Sequence, residues 1–420
     1  MTTLFPKMIR IQQSFKSFEV DDVAASICAK IENLSLQQHI IPGQTVAIAC
    51  SSRGISNYET IVRTVVKSLR KMQVNLFIIP AMGSHGAATA EGQQRVLEHL
   101  GITEAAVGAP VRSSLEVDQI GITEQGVPVF LDRLAHQADH LVLINRIKKH
   151  TEFEHKFESG LLKLMAIGLG KQKGAAIYHQ AMLSYGYPDI ISSVADQVMA
   201  KTNILFGVGI VENAHGKTAK IGICTKDAIV QQDINLLILA KELAPALPFE
   251  EVDILIIDEM GKEISGTGFD FKVVGRIGMP LVSHDPEFPK IKRILVCDLT
   301  AASEGNATGV GIADFITQRL YDKIDREALD MNSITGVSPE PGKIPLTLKN
   351  DHYAIEIAIR CVGLIPIKEL KIMRIKNTAQ LNEIEVSEAY TQALKDRPDL
   401  KIINKAYDLK FDQDGTLSTF

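Results

Sequence analysis

The sequence predicts an α/β protein of two α/β domains with mainly parallel sheets and its active site in the interdomain cleft. Three observations carry this expectation. Short β-branched runs alternate with helical patterns, the mark of βαβ units; three of these runs end in polar, reactive residues; and the alternation restarts after Pro245-Ala-Leu-Pro248.

The elements follow in chain order. The opening Met1-Thr-Thr-Leu-Phe-Pro-Lys-Met-Ile-Arg10 mixes charge with apolar residues and lacks an apolar core followed by a small-residue cleavage site, so it does not read as a signal peptide. Thr45-Val-Ala-Ile-Ala-Cys50, Val74-Asn-Leu-Phe-Ile-Ile79 and His140-Leu-Val-Leu-Ile-Asn145 read as strands. Between the first two, Ile61, Val65 and Leu69 recur at helical spacing, with Arg63, Lys67, Arg70 and Lys71 as a solvated face. A second helix runs from about Ala90 to Leu100 and stops at Gly101. Residues 203–211 and 220–224, joined through Ala214-His-Gly216, read as a hairpin. Val252 to Asp258 and Arg293 to Asp298 begin another α/β segment. The predicted domains are residues 1–270 and 271–420, with Gly275 to Pro289 as linker or hinge.

Composition narrows the function classes. A chain of 420 residues, 45% hydrophobic and 23% charged, can bury a sizeable core. A net charge of −5 supplies no general field for nucleic acid or an anionic membrane. No apolar run approaches the roughly 18 residues of a membrane span. The chain is expected to be cytoplasmic. Cys28, Cys50, Cys224, Cys297 and Cys361 form no C-x-x-C pair and read as core thiols.

Cys50 is followed by Ser51-Ser52-Arg53, Ile79 by Pro80-Ala-Met-Gly-Ser-His85-Gly86, and Asn145 by Arg146-Ile-Lys-Lys-His150. In an open α/β sheet the carboxyl ends of the strands face one crevice, where ligands bind. Singly, His85 also reads as a turn histidine capping a helix and Arg53 as half of a surface salt bridge. Three strand ends of the same kind favour a shared site. Further on, Ser159-Gly160-Leu-Leu-Lys163 precedes a Gly-rich stretch, and His179 lies sixteen positions beyond the lysine (179 − 163 = 16). A lysine of lowered pKa can bond covalently to a carbonyl or thioacid carbon, and a neutral imidazole ligates nickel, zinc or iron. The plainer reading has Lys163 snorkelling from a helix start and His179 packing beside Tyr178.

With these residues the chain resembles the nickel-dependent lactate racemases and their relatives among 2-hydroxyacid racemases and epimerases, chiefly over residues 40–220. The matching features are Ser52-Arg53, the Gly83-Ser84-His85 turn, Lys148-Lys149-His150, Ser159-Gly160-Leu-Leu-Lys163, and the sixteen-residue step to His179. The resemblance implies a nickel pincer nucleotide, a pyridinium mononucleotide with two sulfur-containing arms, covalently held by Lys163. Ser52, Ser159 and Gly160 would lie beside it, and His179 would be the protein's nickel ligand. It further implies racemisation or epimerisation of a hydroxy acid: a histidine takes the hydroxyl proton as hydride leaves the same carbon, and return of hydride to the other face of the keto acid inverts the centre. His85 and His150 fit as the paired bases, and Arg53 as the carboxylate clamp. Residues 1–270 would then be the cofactor-binding catalytic domain, and 271–420 the domain closing over the substrate. Expected partners are a small hydroxy acid and the cofactor-synthesis enzymes, with no nucleic acid and no membrane; homo-oligomer formation stays open.

The departures are specific. The family usually has a second glycine after Ser-Gly and a shorter step from catalytic histidine to lysine, whereas here 163 − 150 = 13 and Leu161-Leu162 follows Gly160. His155, eight residues before Lys163, therefore rivals His150, which lies closer to the strand end. In place of the family's Gln-x-x-Lys pair the chain reads Asp258-Glu-Met-Gly-Lys262, so Lys262 is the candidate substrate cation, and the substrate is expected not to be lactate. The alternative from another reaction class is a zinc hydrolase or lyase with His85, His150 and His179 as an open three-histidine site.

Overall fold

The computed structural model describes residues 5–151, 153–278 and 284–419. The chain divides into two compact units, one of Lys16–Ala244, the other of the segment up to Phe15 together with Pro245–Phe420. The first strand, β1 (Met8–Gln13), belongs to the discontinuous unit.

The continuous unit holds β2 (Thr45–Cys50), β3 (Asn75–Pro80), β4 (Val117–Ile122), β5 (Pro128–Asp132), β6 (His140–Arg146), β7 (Ile204–Glu212) and β8 (Thr218–Cys224). Its sheet runs β3-β2-β6-β7-β8; the first four strands are parallel, and β8 closes the edge antiparallel to β7. The expected hairpin is thus present, and β4 and β5 form a separate antiparallel pair. The helix Tyr58–Arg70 crosses over from β2 to β3 and buries Ile61, Val62, Val65, Val66 and Leu69 completely. Each such side chain contributes roughly 1.5–3 kcal/mol on leaving water, so this apolar stripe decides which face turns inward. On β7, a Cβ at Gly207 would lie 2.6 Å from Leu161 Cδ1. The missing side chain lets the segment that carries Lys163 sit directly on the sheet.

The discontinuous unit continues with β9 (Glu251–Ile257), β10 (Lys290–Val296), β11 (Phe315–Thr317), β12 (Leu346–Leu348), β13 (Ile372–Ile375), β14 (Glu383–Ser387) and β15 (Leu400–Ile402). Its sheet order is β12-β11-β10-β9-β13-β14-β1-β15, parallel from β12 to β13 and antiparallel beyond. Both faces are covered: Leu255 and Ile257 pack with Phe269 and Phe271 on one side, Ile254 and Ile256 with Ala354, Ile355 and Ala358 on the other.

This topology moves the expected boundary. The units separate between Ala244 and Pro245 rather than near 270, because β9 pairs with β10 and β13 at the middle of the second sheet. The expected linker is also altered. Val273, Val274 and Ile277 are buried in the second core, and Arg276 pairs with Asp314 at 2.8 Å; residues 279–283 of that stretch lie outside the described residues. Among the described residues no helix is long and apolar enough to cross a membrane. Cys50 and Cys297 are buried thiols.

Candidate active site

The carboxyl ends of β2 and β3 meet through a side-chain contact, with Ser52 Oγ 2.5 Å from His85 Nδ1. His85 has extended backbone and precedes two consecutive left-handed alanines, Ala87 and Ala88, each at φ 53°. Such residues cost about 1–2 kcal/mol each. The turn is held by Gln93, whose side-chain amide donates to Gly83 O at 2.8 Å and His85 O at 3.3 Å. Arg53 reaches solvent and has no ion-pair partner among the described residues. Surrounding protein, and then the like charge of Arg146, lower its pKa. Arg146, at the end of β6, is itself paired with Glu212 at the end of β7, and the same carboxylate accepts from Ser56 N at 2.6 Å. Glu212, which sequence reasoning missed, thereby ties the loop after β2 to β6 and β7.

After β6 the chain makes an antiparallel bridge between Lys148 and Ser159, so the intervening residues form a closed loop carrying both rival histidines. Its anchor is Glu158, 2% exposed, which accepts from His150 N at 2.5 Å and His155 N at 3.4 Å and pairs with Lys241 at 2.6 Å. The His150 ring, 7% exposed, packs on Phe153 with centroids 4.4 Å apart, and its Nε2 contacts Lys163 Nζ. His155 instead sets its ring edge-on to Phe157 at 4.5 Å, and burial lowers its pKa.

Lys163 owes its position to a residue far along the chain. The helix Ile229–Leu243 buries Asp233, whose two oxygens accept from Leu161 N and Leu162 N, each at 3.0 Å. A Cβ at Gly160 would lie 2.5 Å from Asp233 Oδ2, so only glycine lets the carboxylate reach these donors. Burial raises the Asp233 pKa to about 6, against the two backbone donors, which lower it. Lys163 ends the turn Leu161–Lys163, which passes into a π-turn over Leu164–Gly168, a form frequent at functional sites. The helix Lys171–Tyr185 then brings up His179. Its Nδ1 is buried with no hydrogen-bond partner among the described residues, and burial, followed by the charge of Lys163, lowers its pKa to about 4. At neutral pH this ring is uncharged and has a nitrogen free to ligate.

The structure therefore brings His150, Lys163 and His179 into one group, pairs Ser52 with His85, and sets Arg53 against Arg146. Ser159 contributes backbone bonds to the loop closure. Lys262 belongs to the discontinuous unit, where its Nζ donates to Gly266 O at 2.8 Å and Asn332 Oδ1 at 3.3 Å. No three His, Cys, Asp or Glu side chains converge as a metal-ligand group among the described residues. The three-histidine zinc site is accordingly not assembled in this arrangement.

Residues 7–187 match the profile of the lactate racemase N-terminal domain. No curated protein matches the chain. Among solved structures, a Thermotoga maritima protein is 15% identical with a TM-score of 0.48, covering 67% of this chain and 72% of its own. The lactate racemase apoprotein of Thermoanaerobacterium thermosaccharolyticum is also 15% identical, with a TM-score of 0.47 and coverage of 69% and 74%. The profile match, which spans less than half of the chain, encloses Arg53, His85, His150, Lys163 and His179.

Proposed function

We propose that this chain is a racemase or epimerase of a 2-hydroxy acid other than lactate, and that it works with a nickel pincer nucleotide tethered to Lys163. The observation that carries the reading is the grouping of a reactive amine with a neutral imidazole whose ring nitrogen has no internal partner, Lys163 beside His179. The donor set fits. A single protein imidazole, that of His179, would suffice for a metal that arrives with sulfur ligands of its own, and sulfur with nitrogen donors would suit nickel.

When bound, the cofactor supplies a carbon that accepts and returns hydride. The chain supplies the rest. Arg53, flanked by Arg146 and with no ion-pair partner among the described residues, holds the substrate carboxylate by charge-assisted hydrogen bonds. His150 takes the hydroxyl proton on one face at Nε2, the atom that meets Lys163 Nζ in the protein alone. His85 serves the opposite face, its ring turned by Ser52. Both histidines alternate as acid and base, as a reaction that runs in two directions requires.

Intact-mass analysis of protein made in a host that synthesises the cofactor tests this reading. A nucleotide-sized adduct is expected on the wild type and absent from Lys163→Ala. Bound zinc with no adduct on the wild type would refute it in favour of the metal-dependent hydrolase or lyase.

A further inference from the structure

We propose that Lys171 is a positioning residue for this reaction, its buried ammonium locking the strained His85 turn to the start of the helix that carries His179. The proposal rests on the functional reading above. Lys171 stands midway between the two residues of the sixteen-step spacing (171 − 163 = 8; 179 − 171 = 8).

Two unfavourable features coincide there. The side chain is 0% exposed, a state lysine almost never adopts unless paired, and the backbone is left-handed at φ 54°. A methionine would fill the same space without desolvating a charge. What it cannot do is donate to two elements while its charge pairs with a third. Lys171 Nζ donates to Pro80 O at 2.5 Å, the last residue of β3, and to Gln93 Oε1 at 3.3 Å, and it pairs with Asp132 Oδ2 at 2.8 Å at the end of β5. Gln93, with its oxygen fixed, presents its amide to the carbonyls of Gly83 and His85. Two backbone bonds run alongside, from Gly83 N to Gly168 O at 3.2 Å and from Asp132 N to Leu169 O at 2.7 Å. The turn bearing one base and the segment joining Lys163 to His179 are thus clamped at their common root. Burial lowers the lysine's pKa, and contact with Asp132 opposes this. Buried ion pairs are a poor source of stability, which leaves geometry as the gain.

The test uses Lys171→Met/Asp132→Asn. It removes both charges and keeps an acceptor for the Ala135 N–H that Asp132 caps at 3.0 Å. Lys171→Met alone is the second variant. Hydrogen exchange of residues 81–89 should accelerate about tenfold or more while residues 204–224 keep their wild-type rate. The His85 Cε1 resonance, assigned by its loss in His85→Gln, should shift and broaden. On a hydroxy acid that the wild type isomerises, kcat should fall with KM unchanged. Unchanged exchange in 81–89 in both variants overturns the proposal, and so does uniform acceleration across the whole continuous unit. Failure of the wild type to isomerise any hydroxy acid would sink the functional reading instead, and the exchange and resonance data would still decide the clamp.

Discussion

Asp233→Asn should make the continuous unit more stable at high pH than at low pH relative to wild type. Asp233 is buried with no ion-pair partner among the described residues, and burial raises its carboxyl pKa from an ordinary 3.8 to about 6. A carboxyl whose folded-state pKa is raised adds stability that is complete below its unfolded pKa and is lost as pH climbs through the folded value. The window is therefore pH 4 to 6. Two units at 1.36 kcal/mol each give a loss of about 3 kcal/mol by pH 8. Asparagine has no such titration. It keeps one acceptor for the Leu161 and Leu162 donors and forfeits the other bond, a pH-independent cost of about 1–3 kcal/mol. For a unit of this size, about 3 kcal/mol corresponds to roughly 6–12 °C. Thermal unfolding of both proteins at pH 4.5 and pH 8, followed by circular dichroism, should show Tm of the variant gaining by that order on wild type between the two conditions. A gap that stays constant with pH would show that Asp233 does not titrate in this window, and the account of a charged cap beneath Lys163 would fail.

Other substitutions probe the same group. Gly160→Ala should displace the Asp233 carboxylate, lower stability by about 2–4 kcal/mol through two lost charge-assisted bonds, and slow adduct formation at Lys163; normal adduct yield would count against the cap. His179→Ala should cut nickel retention, read by elemental analysis, with the circular dichroism spectrum unchanged, and undiminished nickel would remove His179 as ligand. His85→Ala and His150→Ala should each reduce turnover of the substrate about 10²- to 10⁴-fold in both directions. In a single turnover each should oxidise only one stereoisomer to the keto acid; equal bursts with both stereoisomers would show that they are not paired bases, and a one-sided burst from His155→Ala alone would hand that role to His155.

The strand ends were legible because a β-branched run followed by Ser-Arg, Ser-His or Lys-Lys-His is a local pattern, and β2, β3 and β6 lie where those runs lie. The residues that aim the site were not. Asp233, Glu212, Glu158 and Gln93 act on partners brought up by folding, and each looks in sequence like an ordinary polar residue on a helix, strand or loop. Lys171 was hidden in a Gly-rich stretch, since nothing local says that a lysine will be buried. The boundary was misplaced for a related reason. The run from Val252 to Ile257 is recognisably a strand, but a hydrophobic run does not say which sheet it will join. β1 is the extreme case, six residues whose partners are hundreds of positions away.

That strand makes synthesis of the chain asymmetric in time. β1 emerges before every other described strand, and its strand partners β14, Glu383–Ser387, and β15, Leu400–Ile402, emerge after all the others. Every contact of the continuous unit is available once Ala244 has emerged. The unit holding Lys163 and His179 can therefore fold on the growing chain, while the other waits with an unpaired apolar strand at its leading end. Its sheet closes only once β14 and β15 have emerged. A chain cut before residue 383 would keep the Lys163 and His179 group and expose β1 as a free edge, so truncated products should aggregate through β1 rather than through that group.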